Sequence, residues 1–263
     1  TNTFTPPSAT PGTTYYRVLV NASNSDCQQA VSSMVTAIII PDITVTTQPT
    51  NVNECVGGLD QMTVAISGGS GLVSYQWQSS TDGNAPWANA VGTGSTTNTF
   101  TPPSVTPGTT YYRVLVNATG SDCQQAVSSV VTAIIIPDIT VTTQPTNVNE
   151  CVGGLDQMTV AISGGSGLIS YQWQSSTTGA EPWANAIGTG STTNTFTPPS
   201  ATPGTTYYRV LVNASNSDCQ QAVSSVVTAI IIPDITVTTQ PTNVNECVGG
   251  LDQMTVAISG GSG

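Results

Sequence analysis

Two kinds of side chain in this sequence have the type and spacing to act together: cysteines and carboxylates. Six cysteines fall into two interleaved series, Cys55, Cys151 and Cys247 within the motif ECVGG, and Cys27, Cys123 and Cys219 within SDCQQ, and each series recurs every 96 residues. Paired thiols form disulfides, and thiolates with carboxylates bind metals. Zinc would call for histidines or a CxxC pair, and the chain has neither. Evenly recurring cysteines in small β-rich units instead favour disulfides in an oxidising, extracellular compartment.

Other chemistry finds little footing. Histidine and lysine are absent, so the usual general bases and cationic nucleophiles are missing, and no serine or cysteine sits beside an evident base. This argues for a non-enzymatic protein. The cations are Arg17, Arg113 and Arg209 alone, against a net charge of −11, which excludes nucleic acid and anionic membrane as natural partners. Nor does any stretch within this window read as a membrane insertion.

The period of the cysteines runs through everything else. TNTFTPPS opens at Thr1, Thr97 and Thr193, and IIIPDITVTTQP at Ile38, Ile134 and Ile230. A repeat of this size suits one small domain with its own core. The expected division is residues 1–40, the C-terminal part of one unit; 41–136 and 137–232, two complete units; and 233–263, the N-terminal part of another. We expect the chain to be a window on a longer array. The two complete copies differ at eight positions, three of which (Asp82/Thr178, Asn84/Ala180 and Ala85/Glu181) lie in one short loop.

Within a copy, Met62, Val64 and Ile66 alternate with polar or small residues, SGGSG breaks the run, and LVSYQWQ resumes it with Tyr75 and Trp77 on one face. Tyr112, Val114 and Val116 share one face of TYYRVLVN, and a β-branched run closes the unit at Ile136. No helical period appears, so the fold class is all-β. Ile66, Trp77, Tyr112 and Val114 are the expected core.

The order of these parts resembles an immunoglobulin-like domain. TTQPTNV, MTVAISGG, YQWQ and YYRVLVN match strands A/A′, B, C and F, with Trp77 at the core tryptophan and Tyr112 at the tyrosine corner. Ile66 and Val114 stand where the family carries its inter-sheet disulfide, so an apolar pair replaces that bridge. The YQWQSSTDG…PW segment, with a cysteine before the AB turn, is similar to tandem immunoglobulin-like repeats of very large cell-surface and adhesion proteins of Bacteroidota, which leave the cell by the type IX secretion system. The resemblance implies antiparallel β-sandwiches arranged end to end, at about 40–45 Å per copy given strands of this length.

That topology has consequences for the cysteines. It puts the AB turn and the FG turn of one domain at opposite poles, about 40 Å apart at roughly 3.3 Å per residue of strand, whereas a disulfide needs Cα atoms within about 7 Å. Stacked domains would instead pair Cys55 with Cys219, leaving Cys27, Cys123, Cys151 and Cys247 to partners outside the window. Pairing within each copy, Cys55 with Cys123 and Cys151 with Cys219, stays open as the alternative. The same topology gathers Glu54, Asp60, Asp138 and Asp218 at the junction. No cofactor is required, but such an oxygen-rich cluster is a candidate calcium site; solvated turn residues are the other reading.

A last surface stands out. The outward side of strand F, with Tyr111, Arg113 and Leu115, lies beside Gln76 and Gln78 of strand C and forms a candidate lateral binding face for sister fibres or surface glycans. The linker IIIPDITV has no glycine or serine tract and carries a proline, so neighbouring repeats of the same chain should be stiffly joined. The expected function is a structural stalk or fibre segment of an extracellular bacterial adhesin or surface filament, on the cell surface. The alternative is a repeated ligand-binding or fibre-bundling module working through the C/F face.

Overall fold

The computed structural model describes residues 2–22, 28–119, 123–215 and 219–261. Residues before the first complete copy form β1 (Gly12–Tyr16), β2 (Leu19–Val20), β3 (Ala30–Val31) and β4 (Val35–Ile39). The first complete copy holds β5 (Thr44–Thr47), β6 (Val52–Cys55), β7 (Met62–Thr63), β8 (Ala65–Ser67), β9 (Val73–Ser80), β10 (Ala88–Asn89), β11 (Thr99–Phe100), β12 (Gly108–Ala118), β13 (Ala126–Val127) and β14 (Val131–Ile136). The second repeats the series as β15 (Thr140–Thr143), β16 (Val148–Cys151), β17 (Met158–Thr159), β18 (Ala161–Ser163), β19 (Ile169–Ser176), β20 (Ala184–Asn185), β21 (Thr195–Phe196), β22 (Gly204–Ala214), β23 (Ala222–Val223) and β24 (Val227–Ile232). β25 (Thr236–Thr239) and β26 (Ala257–Ser259) follow. No helix occurs among the described residues.

One layer of each copy is the sheet β10-β9-β12-β14-β6, with β13 also on β12; in the second copy the order is β20-β19-β22-β24-β16, with β23 on β22. The other layer consists of β5 on β8 and β7 on β11. β7 and β8 are one interrupted strand, bridged at Val64, whose N–H reaches the carbonyl of Asn98 at 2.9 Å. In the second copy β16 runs parallel to β24, whereas β15–β18, β17–β21, β19–β20, β19–β22, β22–β23 and β22–β24 are antiparallel. A first strand that divides between the two sheets, pairing antiparallel in one and parallel to the last strand in the other, is the A/A′ arrangement. With strands in the order A, A′, B, C, C′, E, F and G, each copy is an immunoglobulin-like β-sandwich.

The sequence makes the divided strand through its amides. In the bend between β5 and β6, Gln48 Oε1 accepts from Ser129 N at 2.8 Å and Asn51 Oδ1 from Thr132 N at 2.9 Å, so two side chains satisfy backbone donors of the last strand where no ladder forms. Gln144 and Asn147 do the same in the second copy. The last strand itself is broken between β13 and β14 by Ser128, whose Oγ accepts from Val114 N at 3.0 Å.

Cores form between the layers. Trp77, Phe100, Met62, Val64, Val114 and Val116 are fully buried, with Tyr112 close behind; Trp173, Phe196, Met158, Val160, Val210, Val212 and Tyr208 repeat the set. Trp77 stacks on Phe100 at 5.2 Å, and Phe100 tilts against Tyr112 at 5.1 Å. The Trp77 indole N–H, which could not be buried unpartnered without cost, donates to the carbonyl of Thr97 at 2.9 Å. Ile66 departs from the expectation of full burial. It pairs with Val45 in the narrow β5–β8 ribbon and is only half-buried at the core margin, while Met62 and Val64 of the same alternation take the deep positions.

The chain forms two compact units: residues 1–53 with 59–135, and residues 54–58 with 136–263. The second unit therefore includes five residues, Glu54–Gly58, that belong by sequence to the first copy.

Candidate functional site

Those five residues carry the ECVGG motif, and in the second unit they meet the turn after β22. Cys55 is bonded to Cys219, with Cα atoms 4.9 Å apart and 164 residues between them in sequence. Local structure explains how Cys55 arrives there. It ends β6, is fully buried, and is followed by Val56, whose N–H donates to the carbonyl of Ile136 at 3.1 Å. Its sulfur lies 4.0 Å from the carbonyl of Pro137. On the other side, Asp138 Oδ1 accepts from Gln220 N at 3.1 Å, which anchors the residue next to Cys219. Asp42 holds Gln124 in the same way at 3.2 Å.

The alternative pairing within each copy does not occur, for Cys123 and Cys151 are free thiols, as is Cys247. Cys123 sits against the carbonyl of Pro41 at 4.0 Å, in the counterpart of the place where the disulfide lies against Pro137. Cys27 lies outside the described residues.

The remaining letters of the motif have structural work. The chain turns at Gly57 and Gly153 with φ of 87° and 84°, a left-handed conformation that a side chain would disfavour. At the next position a Cβ has no room, because the carboxylate of Glu54 lies against Gly58 and that of Glu150 against Gly154. Glu150 Oε2 accepts from Asp156 N at 2.8 Å and Glu246 Oε2 from Asp252 N at 2.9 Å, so this glutamate closes its own turn. The sequence offered a signal for that role in the constant spacing of E-C-V-G-G-L-D.

Of the four carboxylates expected at the junction, Asp138 is brought to the cysteines: its carboxylate and the sulfurs of Cys55 and Cys219 lie within 4.8 Å of one another. Glu54 is buried against Gly58, Asp60 is exposed, and Asp218 lies outside the described residues.

The lateral face is assembled as its register requires. Arg113 stands opposite Gln78 and Leu115 opposite Gln76, with Tyr111 opposite Ser80. All five expected residues are half-buried. Arg113 Nε donates to Gln78 Oε1 at 2.9 Å, and the guanidinium lies over the Trp87 ring at 4.3 Å from its centroid. Trp87 was missed by sequence reasoning. The tryptophan follows a proline outside any alternating run, so only the C–C′ turn brings it back over strand F. Arg209 repeats the arrangement with Gln174 at 2.9 Å and Trp183 at 4.4 Å.

A family model described as Domain of unknown function (DUF8696) matches residues 44–137 and again 140–233. This chain belongs to that family. Both matched stretches coincide closely with the complete copies, so a DUF8696 unit is one sandwich with its A/A′ strand at the start and its G strand at the end. No curated protein matches the chain. Among solved structures, a three-immunoglobulin-domain titin fragment (domains I67–I69, an E-to-A variant) is 13% identical, with a TM-score of 0.48, covering 84% of this chain and 76% of that one. Immunoglobulin domains 1–4 of Sidekick-1 are 12% identical, with a TM-score of 0.43, covering 86% and 59%. The eight N-terminal immunoglobulin domains of Down Syndrome Cell Adhesion Molecule are 12% identical, with a TM-score of 0.45, covering 82% and 28%. The strand order, and not these distant likenesses, carries the fold assignment.

Proposed function

We propose that this chain is a segment of a non-enzymatic stalk or fibre in an extracellular bacterial adhesin or surface filament, of the kind Bacteroidota export by the type IX system, with consecutive copies clamped by disulfides. The observation that carries the reading is the Cys55–Cys219 bond, which ties the AB turn of the 41–136 copy to the FG turn of the 137–232 copy. Each such bond adds a second covalent connection beside the proline-containing linker, so bending or pulling would load both. A disulfide also supports an oxidising compartment outside the cell. The absence of histidine and lysine supports a mechanical rather than a catalytic role.

Non-reducing peptide mapping tests the clamp. A variant with Cys27, Cys123, Cys151 and Cys247 changed to serine keeps one cysteine of each motif. The expected result is a peptide joining the ECVGG and SDCQQ segments. Free thiols recovered from the folded protein would refute the clamp. Small-angle scattering from chains of increasing copy number tests the stalk, which requires growth by about 40–45 Å per copy; compact particles would remove it. Calcium at the same junction is a secondary proposal supported by Asp138 beside the disulfide, and with six to eight oxygens needed, backbone carbonyls and water would have to complete the shell. Calorimetric titration decides it, and an absence of heat sinks it.

A second reading is favoured by one observation: the lone cation of each complete copy is held on the C/F face by a glutamine and a tryptophan. A face of that kind repeated along a fibre gains avidity by repetition, for sister fibres or surface glycans. Electron microscopy of isolated fibres discriminates, since lateral bundles support the binder and single smooth fibres support the stalk alone.

A further inference from the structure

The two complete copies are nearly identical except in the C–C′ turn, and the difference there changes what faces the arginine. In the second copy Glu181 extends over strand F. Its Oε1 pairs with Arg209 Nη2 at 3.1 Å, and its Oε2 accepts from the backbone N–H of Trp183 at 3.1 Å. One carboxylate is thus gripped by two donors, a guanidinium nitrogen and a main-chain amide, with the guanidinium fixed by Gln174 and by the Trp183 ring. The first copy keeps every part of this grip. Arg113 is fixed by Gln78 and Trp87 at matching distances, yet Ala85 stands where the second copy has Glu181. Among the described residues no ion pair reaches Arg113.

We propose that the first copy carries an open carboxylate-binding site, formed by Arg113 Nη2 and the Trp87 N–H, that takes an acidic side chain of a peptide supplied from elsewhere, and that in the second copy Glu181 fills the same site in cis. The occupant of the second copy is what identifies the ligand: a glutamate side chain on a polypeptide, seated by a charge-assisted bond and a backbone donor. Arginine suits the task because its guanidinium is planar, always charged and already oriented by its stacking on the indole. Gln78 occupies Nε, which leaves the Nη nitrogens for the ligand. Asp82, the acid on the first copy's turn, is engaged elsewhere, accepting from Ser80 Oγ and from Asn84 N, both at 2.9 Å. Sequence variation between copies then tunes occupancy of one site while the framework stays constant. The inference deepens the reading of the C/F face as a binder and does not depend on the Cys55–Cys219 clamp.

The test uses the full chain, N-acetylglutamate methylamide as the probe, and amide and arginine-side-chain NMR with isothermal calorimetry as readouts. Titration is expected to shift the Trp87 amide and Arg113 Nε signals while leaving those of Trp183 and Arg209 in place. Ala85→Glu installs what the second copy already tolerates, so it should fold, and it should weaken binding at least about tenfold, the loss expected when one charged hydrogen-bonded pair is pre-empted. Glu181→Ala should open an additional site of similar affinity. Binding that survives Ala85→Glu or Arg113→Gln, or no shift at Trp87 in the parent, overturns the proposal. Glucuronate serves as the parallel arm: binding of the sugar acid without the peptide analogue overturns the peptide assignment. Failure of the site leaves the wider face to be judged by fibre bundling, which is measured independently.

Discussion

Trp77 illustrates how much one residue carries. Its ring lies fully buried between the sheets against Phe100, and its indole N–H is bonded to Thr97. Replacing it by alanine removes a large ring and leaves a cavity, at a cost of about 3–5 kcal/mol. Chemical denaturation of the Trp77→Ala chain should therefore separate into an early phase from the altered copy and a later one from the copy built on Trp173. At the surface, Asp82 is held below the ordinary carboxylate value of 3.8, chiefly by the backbone N–H of Asn84 and then by the Ser80 hydroxyl. A depressed folded value means the turn is stabilised above that ordinary value, and the contribution disappears as pH falls through the lower folded value. Thr178 takes this place in the second copy and does not titrate. Carboxyl-carbon NMR of Asp82 should show a midpoint below 3.8, and Asp82→Thr should remove the acid-dependent loosening from the first turn. Tyr112 moves in the opposite direction, since burial raises its phenol above 10.0. Its contribution is present below pH 10.0 and is lost as the pH climbs through the raised value.

At the level of elements, the AB turn is the most demanding piece of local structure. It must reverse the chain at a left-handed glycine and then allow a glutamate carboxylate to lie against the following backbone. Gly154→Ala introduces a Cβ where the Glu150 carboxylate lies, and either the glutamate moves or the turn opens. The expected loss is about 1–3 kcal/mol, the range for forced overpacking, measured by urea unfolding. Pairing the substitution with Glu150→Ala should recover part of it, because the clash would be gone although the bond to Asp156 would be lost too. The bend between β5 and β6 works differently, since it is held by Gln48 and Asn51 bonding across to the last strand. Those amides explain a polar QPTN stretch that hydrophobic patterning alone reads merely as a loop.

Across the whole chain the disulfide closes a loop of 164 residues. A cross-link of that span restricts the unfolded ensemble, so reduction, or Cys219→Ser, should lower stability by roughly 2–4 kcal/mol. Thermal unfolding with and without reductant measures this. An unchanged midpoint would mean that the bond contributes nothing beyond connectivity.

Much of this was legible without coordinates. Repetition delimited the copies, period-two alternation called strands through Trp77, Tyr112 and Val114, and the spacing of ECVGG and SDCQQ made the cysteines the residues to follow. These are local signals, since burial of one strand face imprints itself on residues two apart. Phe100, set among threonines in TNTFT, gave no such alternation of apolar residues, and its place under Trp77 depends on strand E returning across the core. The half-burial of Ile66 likewise depends on how narrow the β5–β8 ribbon is. Trp87 over Arg113, and Glu181 in the grip of Arg209, bring together residues more than twenty positions apart through turns whose geometry the sequence does not state. The sequence by itself determined the long strands through Trp77 and through Tyr112 and Val114 and their inward faces, because pleat and hydrophobicity act between near neighbours. Tertiary structure decided between the two cysteine pairings the sequence left open, and alone placed Glu181 against Arg209, because those outcomes depend on how several turns add together in space.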